Sequence, residues 1–159
     1  MVLGFTVVAC LWWLYFDLVA VAAEHRFLHA PVAERNNIAR DSYNYFHLPM
    51  VAGIVLLALG LKKVFVDLDP PLKLVISFAL FGGVALYLLG HLAFRYRHTR
   101  TWNVARAVVL VLLLALVPLG PAAPAWISLV VLTSILLGLV TYESLHFREL
   151  RTTIRATRH

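Results

Sequence analysis

Several residue types that soluble enzymes rely on are scarce in this chain. Its one cysteine, Cys10, sits inside an apolar run, which rules out an intramolecular disulfide and reads as an inert buried thiol. Charged residues make up only 14% of the 159 positions, and acids are the rarer sign, eight against fourteen Lys and Arg. Phosphate-cradling loops, a dinucleotide fingerprint and a Gly-x-Ser-x-Gly elbow are absent, which removes the common nucleotide-dependent and serine-hydrolase readings. No residue is assigned a catalytic, cofactor-binding or metal-binding role, no cofactor is expected, and a non-enzymatic protein is the favoured reading.

Apolar residues are abundant. They account for 62% of the chain, and the mean hydropathy is +0.84. Soluble domains hold roughly 45–50% apolar residues. A helix needs about 20 of them to cross a bilayer core. Five stretches meet that need, at about 2–23, 43–65, 72–94, 104–119 and 125–146. The expected fold is therefore all-α, a polytopic transmembrane bundle over 1–147, followed by a basic tail at 148–159. Gly120-Pro121-Ala122-Ala123-Pro124 predicts a tight turn that makes the last two helices an antiparallel hairpin. Pro70-Pro71 marks the break between the second and third. Glu24 to Asp41 reads as a polar link, with Asp41-Ser42 capping helix two. Ala20-Val21-Ala22 resembles a cleavage site, but no cation precedes the apolar run, so an uncleaved first helix is expected.

Eleven of the fourteen basic residues fall on one side of such a bundle, leaving only Lys62, Lys63 and Lys73 on the other. The positive-inside rule then puts the N-terminus out and the C-terminus in. Arg148, Arg151, Arg155 and Arg158 recur every three or four residues and so share a helix face, suited to anionic lipid headgroups rather than nucleic acid.

The polar residues inside the apolar helices are informative because each is costly there. A charge at the bilayer centre is unfavourable by about 2.5–3.5 kcal/mol on insertion scales. Asp17 follows Trp12-Trp13-Leu14-Tyr15-Phe16, and His47, His91 and Glu143 come from three further helices. Helical rise places all four within about 5–9 Å of the cytoplasmic end. Tyr43 and Tyr87 lie four residues before His47 and His91, on the same helix faces, as hydrogen-bonding company. Trp13 likewise shares the face of Asp17 and is expected to pack above this layer. Helix four offers no ionisable group in its apolar run and is expected to face lipid. Glu143 and His146 lie near enough to the interface to snorkel, which favours a structural role for them. Pro49 predicts a kink beside His47. Gly53 and Gly60, and Gly83 and Gly90, form seven-residue stripes where backbones can approach closely.

Three chemistries follow from this layer. The leading one is a proton or ion relay through Asp17 and the histidines. A second uses His47 and His91 as axial ligands of a haem. A third takes Glu143-Ser144-Leu145-His146 as half of a two-copy metal motif.

Trp12 to Asp17, then Tyr-Asn-Tyr-Phe-His-Leu-Pro at 43–49 running into Gly53-Ile54-Val55, then Tyr87-Leu88-Leu89-Gly90-His91, occur in that order. This pattern resembles the bacterial low-temperature-requirement protein A family, with Glu143 and the arginine-rich tail similar too. The resemblance covers nearly the whole chain but only the C-terminal half of the family's pattern. It implies a multi-pass protein of the bacterial inner membrane linked to growth in the cold. It also implies either a fragment or split-gene product of a longer protein, or association with a second membrane chain, or a second copy, that supplies the remaining helices. A transport or membrane-adaptation role is the resulting expectation, with a haem-binding redox protein or a non-catalytic half of a larger assembly as alternatives.

Overall fold

The computed structural model describes the backbone of residues 1–26, 32–99 and 102–156, and the side chains of 1–16, 47–97 and 102–146. Five helical rods follow one another. Helix α1 is Val2–Arg26 and α2 is Val32–Val66. The third rod, α3, opens as Leu74–Ser77, widens into a π turn at Phe78–Gly82 and continues as Gly83–Thr99. Helix α4 is Val104–Leu116, tightening into a 3-10 segment at Val117–Ala122, and α5 is Ala125–Ala156. Among the described residues four stretches are long and apolar enough to cross a membrane: His47–Val66, Leu74–Arg97, Val104–Ala122 and Ala125–His146. The described apolar part of α1 is shorter, Val2–Phe16.

Helix ends depart from the expected ones where the breakers are weaker than they look. Helix α2 begins at Val32, so Asp41-Ser42 lies inside it rather than at its start. Between Pro31 and Pro49 there is no glycine or proline to stop a helix. Pro49 itself is absorbed within α2, since a membrane helix tolerates one lost bond when neighbours compensate. For the same lack of breakers α5 continues beyond 146 and carries most of the basic tail as helix. The side chains of that tail, and of the 24–41 link, lie outside the described residues.

Packing sorts the helices by depth. In the most apolar 18-residue stretch of α3, 67% of residues are buried, against 17% in that of α4. Helix α3 is thus the centre, contacting α1, α2 and α4, while α4 turns most of its surface outward. Helix α5 packs mainly on α1, and α1 and α2 scarcely touch among the described residues, although they are consecutive. At one end the two proline loops hold each other. Pro71 bridges Pro124, and Ala125 and Trp126 donate their backbone N–H to the carbonyls of Pro70 and Leu68 at 3.2 and 3.1 Å. Nearby, the buried Ser77 hydroxyl donates to the Val117 carbonyl at 2.7 Å, and Gly120 leaves the space that this serine fills.

The glycine stripes set the closest crossing. A Cβ on Gly53 would stand 2.5 Å from the Gly83 carbonyl oxygen and 2.7 Å from the Tyr87 nitrogen. One on Gly60 would meet the Leu80 backbone at 2.8 Å. The α2–α3 interface is therefore backbone against backbone, which small residues alone permit. Replacing Gly53 by Leu should force the two helices apart and cost about 1–3 kcal/mol, the range for overpacking. Gly138, which has open space around it, should accept Ala with a gain of about 0.5–1 kcal/mol from helix propensity. Thermal unfolding of both variants in detergent checks the contrast.

Candidate functional site

At the end of the bundle away from the proline loops, one arginine ties four helices together. Asn103 starts α4 in an extended conformation, and its side-chain oxygen accepts from the Arg106 backbone N–H at 3.3 Å. That cap sets the first turn of α4 and aims the Arg106 side chain inward, where it is 2% exposed. Its guanidinium grips Glu143 of α5 through two bonds, Nε to Oε1 at 2.8 Å and Nη2 to Oε2 at 2.7 Å. Asn103 adds a third bond to the same carboxylate, Nδ2 to Oε1 at 2.6 Å. Nη1 reaches His91 Nδ1 on α3 at 2.9 Å, and Nη2 reaches the Leu14 carbonyl of α1 at 3.5 Å.

The chemistry of this group follows from its donors. A guanidinium can only donate, so His91 Nδ1 is the acceptor and the ring proton lies on Nε2. His91 is fully buried, and its Nε2 has no hydrogen-bond partner among the described residues. The Arg106–Glu143 pair is bidentate, the geometry that gives arginine its strongest carboxylate contact. A buried pair adds little net stability, whereas either ion left alone would be strongly unfavourable.

A second polar contact lies beside the first. Tyr15 Oη and His47 Nε2 are 3.2 Å apart. The Tyr15 ring also packs on both imidazoles, with centroids 6.0 Å from His47 and 6.2 Å from His91. The Tyr87 ring lies tilted against His91, with centroids 4.4 Å apart, but Tyr87 donates its hydroxyl to the Leu11 carbonyl, 2.7 Å away. Leu11 and Leu14 are three residues apart on one face of α1, so two of its carbonyls anchor that helix to the core.

The residues expected from the sequence therefore fare differently. His91, Glu143 and Tyr87 meet in the core, with His47 next to them. Asp17 and Tyr43 lie outside the described side chains. Glu143 does not snorkel: it is 4% exposed because the arginine neutralises it in place. His146 turns outward instead and stacks on Tyr142 with rings 5° from parallel, so it and Glu143 do not converge. Among the described residues no three His, Cys, Asp or Glu gather as for a metal ion. The haem geometry is not met either, because a porphyrin between the imidazoles would have to displace the Tyr15 ring that packs on both. Trp13 is 47% exposed rather than packed over the layer.

Sequence reasoning missed Arg106, Asn103 and Tyr15. Arg106 counted only as one more interfacial cation, and helix four as free of ionisable groups. The signal was there: an unaccompanied Glu143 in an apolar helix needs a cation, and Arg106 is the one basic residue inside the α4 span.

Among known families, a family model described as Bacterial low temperature requirement A protein (LtrA) matches residues 1–141. That span includes His91, Asn103 and Arg106 and stops two residues short of Glu143. No curated protein and no solved structure matches the chain.

The pair makes a sharp stability prediction. Arg106→Met or Glu143→Leu alone should each cost about 3–5 kcal/mol, because the partner charge stays buried. The double variant should cost clearly less than the sum of the two. Unfolding in detergent through a double-mutant cycle reads this coupling, and strict additivity would refute it.

Proposed function

The chain belongs to the bacterial low temperature requirement A family, a multi-pass membrane protein by its helices, and from that premise we propose that it couples proton movement to transport across the inner membrane. One observation carries the reading: the His91–Arg106 contact and a proton on His91 Nδ1 exclude each other. At 2.9 Å, protonation would oppose two donors, so the proton must displace the guanidinium. A displaced Arg106 loosens its grip on Glu143 and on the Leu14 carbonyl, which links one protonation event to α1, α3, α4 and α5. The groups facing His91 are Tyr87 on its own helix, Tyr15 on α1 with His47 of α2 behind it, and Arg106 on α4 with Glu143 of α5 beyond. Asp17 and Tyr43, at similar depth in the sequence, belong to the same proposed layer.

The basic-residue asymmetry supports an orientation with the N-terminus outside and the C-terminus in the cytoplasm. It also supports anionic lipid as the partner of the C-terminal helix. With Cys10 replaced by Ser, Lys63→Cys should react with an impermeant maleimide in intact cells, and His159→Cys should react only after lysis. The reverse pattern would invert the orientation.

Transport itself is tested in liposomes. Purified protein should produce a proton flux that follows an imposed pH gradient. His91→Gln keeps an acceptor for Arg106 but cannot titrate, so it should fold normally and reduce the flux to background. No flux from the unaltered protein, or an equal flux from His91→Gln, would sink the proposal.

A further inference from the structure

Helices α1 and α2 leave a groove between them because α2 packs on α3 and α1 mainly on α5, rather than on each other. Its volume is about 440 Å³, within the range of small-molecule sites. Val8, Trp12 and Phe16 wall one side, Val51, Ile54 and Ala58 the other, and the buried Leu11, Leu57 and Tyr87 lie beneath them. Trp12 is 58% and Val51 53% exposed, so the groove opens to the surroundings of the bundle. No Asp, Glu, Lys or Arg lines it among the described residues. Polarity is confined to one end, where Tyr15 Oη meets His47 Nε2.

We propose that this groove holds one acyl chain of a membrane phospholipid, with the ester region of that lipid at the Tyr15–His47 pair. The inference rests on the groove and is independent of proton transport. Three features select this occupant. His47 lies four residues into the apolar stretch 43–65, about 6 Å from its polar end, so the polar end of the groove is the one nearer the lipid head groups and the apolar length runs toward the bilayer middle. Ester carbonyls are polar and accept hydrogen bonds, and the Tyr15–His47 pair, whose mutual bond uses one of its donors, is the polar group at that end of the groove. From His47 to Leu61 the groove follows α2 for about 21 Å, long and narrow as a single chain is. Lipid tails already occupy an apolar phase, so the gain is in packing and hydrogen bonding. The preference over bulk lipid is accordingly severalfold.

Trp12 reports directly on the site. The full chain carrying Trp13→Phe, Trp102→Phe and Trp126→Phe is reconstituted in phosphatidylcholine vesicles with a rising share of lipid brominated on its acyl chains. Half-quenching of Trp12 should need roughly a third of the brominated share that a Trp126-only protein needs, by mass action at a preferred site. Ala58→Phe and Val51→Phe, which fill the groove, should each bring the Trp12 curve onto the Trp126 curve, while Val111→Phe on the outer face of α4 should leave it unchanged. Coincident curves in the unfilled protein would overturn the proposal, as would an unchanged Trp12 curve in both filled variants. If Trp12 became shielded from bromine as the protein-to-lipid ratio rose, a second copy would be the occupant and the lipid assignment would be wrong.

Discussion

The bundle depends on a charge that has to be neutralised where water cannot reach it. Arg106 is buried at the start of α4, and Glu143 meets it from near the end of the apolar span of α5. Neither ion is tolerable alone at that depth, since an unpaired buried charge costs several kcal/mol. Their pairing therefore fixes how the two helices stand: antiparallel, with these ends together. The remaining donors of the guanidinium then choose the neighbours. One finds His91 on α3 and another the Leu14 carbonyl on α1, so a single side chain sets the relative height of four helices. Asn103 serves the same centre twice, as cap for α4 and as donor to Glu143.

At α2 the constraint is steric rather than electrostatic. Gly53 and Gly83 let two backbones touch, and that contact draws α2 onto α3 and away from α1. The groove between α1 and α2 is a consequence of this choice. Its one polar end adjoins the ionic centre through Tyr15, whose ring lies on His47 and on His91. The apolar groove and the charged core are thus neighbours sharing a tyrosine. What fills the one bears on the packing of the other.

How far these features could be read in advance depended on the kind of interaction. The spans of α3, α4 and α5 follow from hydropathy and proline positions, because lipid forces every backbone polar group to be satisfied within a helix. The glycine stripes were visible for the same reason of local periodicity. Helix α2 extends eleven residues ahead of the apolar stretch expected at 43–65, because nothing from Val32 onward breaks a helix. His91, Glu143 and Tyr87 were found by depth, which a residue's place in a span supplies. Arg106 was lost because depth alone cannot tell an arginine that reaches inward from one that reaches the interface. Both begin near a helix end, and the long side chain permits either.

Composition and pattern alone thus settle that this chain is a helical membrane protein with polar residues gathered near one end of its bundle. Both follow from a cost each residue meets by itself, in the bilayer, whatever its neighbours. Which polar groups pair was a matter for the fold. Tyr87 passes over the imidazole on its own helix to reach a carbonyl of α1, and His47 meets Tyr15 across from another helix. Glu143 stays inside because Arg106, thirty-seven residues away in the chain, arrives to meet it. Partner choice depends on how helices rotate and cross, and that is decided by glycine contacts and buried charge acting together. No single segment contains that information.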